Sequence, residues 1–65
     1  MAAEFFRKEY GETPEGYVAV VGFRGGLENG EYGDLRYEVR QGVRTVSTVS
    51  TEIAAKRIAA ALVGA

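Results

Sequence analysis

The sequence predicts a small α+β fold: a three-stranded antiparallel meander with a C-terminal helix packed on one face and a short N-terminal helix, in the order (α)βββα. Three observations predict it. Residues 17–24 form a β-branched and aromatic run, residues 35–40 alternate strictly between apolar and charged, and residues 51–63 carry an apolar stripe at helical spacing. The chain has 65 residues, which is one small domain, 1–65.

The first ten residues hold good helix formers in Ala2-Ala3-Glu4-Phe5-Phe6-Arg7-Lys8-Glu9-Tyr10, with an acid early, bases later and Gly11 as a stop. Phe6 and Tyr10, four apart, would share one helical face, so a short helix is expected over 1–10. Gly11-Glu12-Thr13-Pro14-Glu15-Gly16 reads as a turn, because Pro14 biases Thr13 away from helix. Tyr17-Val18-Ala19-Val20-Val21-Gly22-Phe23-Arg24 is apolar on both faces, as a strand covered on each side or central in a sheet requires. Residues 25–34 then hold four glycines, three acids and an Asn-Gly dipeptide suited to left-handed turn geometry, and read as a long hairpin loop.

Over 35–40 the period is two: Leu35, Tyr37 and Val39 are expected toward the core, with Arg36, Glu38 and Arg40 toward water. Gln41-Gly42 is the turn candidate into a third strand over 43–50. Valines at 43, 46 and 49 cannot share one face of a regular strand, so a bulge or an edge position is expected to absorb the slip. Ser50 or Thr51 caps a helix over 51–63 whose Ala54, Ile58, Ala61 and Leu62 form the apolar stripe, and Gly64 suits its end.

Composition excludes more than it assigns. With 46% hydrophobic and 26% charged residues and a formal net charge of −1, the chain is expected to fold. There is no cysteine and no histidine, which removes disulfides, thiolate or imidazole metal sites, Cys or His nucleophiles and histidine general bases. No nucleophile and base stand together, so no catalytic residue, metal or cofactor is expected. The absence of a long apolar run leaves no membrane span or export signal in view, and a cytoplasmic location is the default expectation. Charge is unevenly spread: residues 1–34 carry seven acids and three bases, residues 35–65 two acids and five bases. Such polarity favours oriented docking or head-to-tail self-association.

The element order is similar to that of double-stranded-RNA-binding domains, and its last four elements to the arm-binding domains of phage-type integrases. The first family reads phosphates with a lysine-rich start to its last helix, whereas here that turn is Ser50-Thr51-Glu52-Ile53-Ala54-Ala55, with Lys56 alone in reach. The second places basic and aromatic residues along the sheet, as Arg36, Arg40 and Arg44 would, but Glu38 stands between the first two. The likeness is one of topology.

Three functional readings follow. The first is a small non-catalytic protein-binding regulator or inhibitor, of the kind phage and mobile-element accessory proteins supply. It would dock through Glu28, Glu31, Tyr32 and Asp34 of the glycine-rich loop, where a loop tyrosine offers an interface anchor and the acids suit a basic surface. The second is a nucleic-acid-binding module using Arg36, Arg40, Arg44, Lys56 and Arg57; the sequence pI near 5.3 opposes it. The third is a self-assembling structural subunit, a homo-oligomer, suggested by the small core and polarised charge.

Overall fold

A computed structural model describes residues 3–25 and 35–64, and the backbone alone for 27–28 and 31–32. The elements are β1 (Ala3–Thr13), β2 (Gly16–Arg24), β3 (Leu27–Glu28), β4 (Glu31–Tyr32), β5 (Leu35–Gln41), β6 (Arg44–Val49) and α1 (Glu52–Gly64). The main sheet is four-stranded and antiparallel in the order β1-β2-β5-β6, and β3 and β4 form a second, two-stranded sheet.

The N-terminal segment is a strand, which corrects the expected helix over 1–10 and makes the sheet four-stranded. A spacing of four, as between Phe6 and Tyr10, fits one helical turn and two strand repeats alike, so the pattern did not discriminate. What decides is β2. Its apolar residues leave Val18, Val20 and Val21 fully buried, and a strand buried on both faces needs a hydrogen-bonded neighbour on each edge. β1 supplies the second neighbour through a hairpin whose last pair is Thr13 with Gly16. With a strand first in place of a helix, the topological likeness to double-stranded-RNA-binding domains falls away.

Both outer strands are bulged. In β1 the pairing skips Phe5 and Tyr10, and in β6 it skips Val46, where Val39 pairs with Ser47 and Arg40 with Thr45. The expected bulge is therefore present, and it absorbs the valine phase slip. The connecting turn is Gly42-Val43, one residue later than expected, and Val43 stands fully exposed there. Gln41 is instead a strand residue and the one buried polar side chain among the described residues. Its Nε2 donates to Thr13 Oγ1 at 2.8 Å, and that hydroxyl donates to Gly16 O at 2.8 Å. The two turns press together so closely that a Cβ on Gly16 would lie 2.5 Å from Gly42 Cα, a contact only glycine permits.

One face of the sheet carries the core: Val18, Val20, Tyr37 and Val39 pack with Ala55 and Ala59 of α1, and Phe6, Tyr10, Val49, Ile58, Leu62 and Val63 flank them. Of the expected stripe Ala54, Ile58, Ala61, Leu62, Ile58 and Leu62 pack against the core, while the fully buried positions are Ala55 and Ala59 and Ala61 is exposed. Alanines at 55 and 59 let the helix axis approach the sheet, and the larger side chains then straddle the contact. Thr51 caps α1, accepting from Ala54 N–H at 3.3 Å on its Oγ1, and Glu52 pairs with Lys56 one turn on at 2.6 Å. The hydrogen bond to Glu52 raises the Lys56 ammonium above the ordinary lysine range.

Candidate functional site

The face opposite the helix is built by register. Directly paired residues share a side, so Glu4, Arg7 and Glu9 of β1, Ala19, Val21 and Phe23 of β2, and Arg36, Glu38 and Arg40 of β5 lie together there. Ala19 and Val21 are buried although no helix lies over this side, because the stems of long charged side chains flank them on both neighbouring strands. Glu38 is the hub. It accepts from Arg40 Nη2 at 2.8 Å and Nε at 3.1 Å, and from Arg36 Nε at 3.3 Å. Both guanidiniums also stand over the Phe23 ring, at 5.1 and 5.5 Å from its centroid. On β1, Arg7 pairs with Glu4 at 3.3 Å, and this hydrogen bond raises the Arg7 guanidinium above its ordinary value.

The five basic residues singled out in the sequence do not converge. Arg36 and Arg40 share one face and one carboxylate. Arg44 pairs with Gln41, whose register puts it on the helix side of the sheet, and it lines a small depression with Glu15, Gln41 and Val43. Lys56 and Arg57 belong to α1, on that same side, and Lys56 is held by Glu52. The expected three-arginine face is therefore a two-arginine face, because the two-residue turn Gly42-Val43 pairs Arg44 directly with Gln41, which alternates with Arg40 along β5.

Within the segment read as a long loop, Leu27–Glu28 and Glu31–Tyr32 form a two-stranded ladder, here called the arm. Leu27 pairs with Tyr32 and Glu28 with Glu31, in the register that runs from Val18 with Gln41 to Arg24 with Leu35. The β2–β5 hairpin thus continues past the four-stranded sheet as a two-stranded ladder with residues 29 and 30 between its ends. Glu28, Glu31 and Tyr32 hold ladder positions, and Asp34 lies outside the described residues.

At the root of the arm the sequence reading missed a groove. β6 ends at Val49, opposite Tyr37, so Leu35 and Arg36 extend beyond it, and the chain turns through Ser50 and Thr51 into the helix. Leu35, Arg36, Thr48, Val49, Thr51 and Ala54 line an open groove of about 1080 Å³. Leu35, expected in the core, is 41% exposed, and Ile53 at the helix start is 66% exposed. The alternation of 35–40 could not reveal this, since it specifies a side of the sheet and not where the covering helix begins. Among the described residues no group of three or more carboxylates is placed to hold a metal ion, and no helix is long and apolar enough to cross a membrane. Comparison with protein-family models, curated proteins and solved structures gives no match for this chain.

Proposed function

We propose that the chain is a non-catalytic protein-binding module, acting as a regulator or inhibitor by occupying a surface of its partner, and that it docks through the arm. The observation that carries this reading is the continuation of the β2–β5 hairpin, in register, as a two-stranded ladder whose sequence 25–34 holds three acids and no base. A two-stranded ladder adds little stability by itself, so its extension beyond the sheet is better accounted for by contact than by folding. The charge layout supports the same reading over nucleic-acid binding, because the bases are divided between two sides of the sheet and Arg36, Arg40 and Lys56 already hold carboxylates. The bulges in both outer strands likewise weigh against assembly by edge pairing, since a bulged edge is a poor template for a further strand.

The test is capture of partners from the native host by the full chain, comparing wild type with two reversals. Glu31→Lys with Tyr32→Ala is expected to lose the captured partner, while Arg36→Glu with Arg40→Glu retains it. The opposite pattern overturns the docking reading in favour of the arginine face.

A further inference from the structure

The groove at the root of the arm holds main-chain groups that are set up to pair. Gly42 N–H donates to Tyr17 O at 3.0 Å, which identifies Tyr17 and Gly42 as a hydrogen-bonded pair of the β2–β5 hairpin. Such pairs alternate along an antiparallel ladder, so Arg40, Glu38 and Arg36 direct their main-chain groups toward β2. Gln41, Val39, Tyr37 and Leu35 direct theirs the other way, toward β6. Tyr37 meets Val49 there, but β6 ends at that pair. Where the next partner would stand, Thr51 turns into the helix and its carbonyl accepts from Ala55 N–H at 3.3 Å. Leu35 N–H and C=O therefore face the groove with no backbone partner among the described residues.

We propose that this groove takes an extended segment of another protein, which adds as a short strand along the outer edge of Leu35. The segment seats an apolar side chain against Leu35, Val49 and Ala54 and carries lysine or arginine toward the arm. This deepens the docking reading above and rests on it. The main-chain groups of Leu35 supply the pairing, and pockets for alternate side chains supply selectivity, as in strand addition generally. The basic character follows from charge: residues 25–34, directly continuous with this edge, hold Glu28, Glu31 and Asp34 and no base. Arg36 lines the groove, but its guanidinium is held on the far face by Glu38 and the Phe23 ring. A second copy pairing edge to edge would bring the same acids against these, and like charges opposed across a ladder are unfavourable.

The experiment titrates the ¹⁵N-labelled full chain with seven-residue peptides: one alternating valine and lysine, one alternating valine and glutamate, and a backbone N-methylated form of the first. Valine–lysine is expected to give saturable amide shifts at Leu35, Arg36, Val49 and Thr51 and slower exchange of Leu35 N–H. The other two peptides should bind at least tenfold more weakly. Ala54→Arg, which puts a long side chain into the groove from a half-buried helix position, should weaken the first peptide at least tenfold with the helical circular dichroism unchanged. No saturable shift at Leu35 overturns the proposal, as does equal binding of the glutamate or N-methylated peptide. Shifts at Leu35 that grow with protein concentration and no peptide assign the groove to a second copy, which also overturns it. The two readings separate cleanly. Loss of capture on arm reversal with no peptide effect at Leu35 removes only the groove, whereas Leu35 shifts with capture indifferent to arm reversal remove only the arm reading.

Discussion

At the scale of single residues, Gly22 is a tight position in the middle of β2. A Cβ there would lie 3.0 Å from Tyr37 Cε2, 3.1 Å from Phe6 Cβ and 3.2 Å from Phe5 Cε1. The absence of a side chain lets Phe5 and Phe6, brought to one side by the first bulge of β1, meet the Tyr37 ring edge-on with centroids 5.9 and 6.2 Å away. Gly22→Ala forces three neighbours to shift at once, one of them a Cβ fixed to backbone. It should destabilise by about 1–3 kcal/mol, the range for overpacking. At roughly 4–8 °C per kcal/mol for a domain of this size, a thermal melt resolves the change. An unchanged midpoint would show that the Phe5–Phe6–Tyr37 contact relaxes freely. Gly22 was readable in the sequence only as a glycine within a strand; the reason for it lies in residues 16 positions before and 15 positions after it, which no local pattern connects.

At the scale of elements, the parts that local chemistry controls were the legible ones. α1 begins within one residue of the expected start because the cap is a local device, Thr51 Oγ1 against Ala54 N–H. Thr51→Ala should cost about 1 kcal/mol of stability and Thr51→Ser should restore it, measured by chemical unfolding. β5 matches its alternation for the same kind of reason, since period two is intrinsic to a strand. β1 was not legible, because the Phe6–Tyr10 spacing suits helix and strand alike and the adjacent Phe5 and Phe6 share a side of a strand only at a bulge. The bulges of β1 are fixed by pairing with β2. β6 lies between these cases: its valine spacing announced an irregularity, and pairing with β5 decided where the extra residue went.

At the scale of the whole molecule, the near-zero net charge is a cancellation distributed in space. The front of the sequence supplies most acids, in β1, the first turn and the arm; the back supplies most bases, which the fold divides between the two sides of the sheet. On the open face Glu38 offsets the arginines of β5, binding two at once. The wild-type chain is therefore expected to leave duplex DNA unretarded in a mobility-shift assay even at low ionic strength. Glu38→Gln, which raises that face by one charge, should show retardation that disappears as salt is added. Retardation of the wild type that persists at physiological salt would reinstate the arginine face as the working surface.

The sequence by itself determined the α+β class, the positions of β2, β5 and α1, the turn-rich connectors, the irregularity of β6 and the lopsided charge, because each follows from periodicity, capping or composition within a short window. The tertiary structure alone decided the other features. These are that residues 3–13 form a strand, that Arg44 parts from Arg36 and Arg40, that the glycine-rich segment extends the hairpin as an arm, and that Leu35 is exposed beside a groove. The physical reason is common to all four. Which side a residue takes, and whether its backbone finds a partner, is set by the neighbouring element it pairs with, through register and through the point at which that neighbour stops.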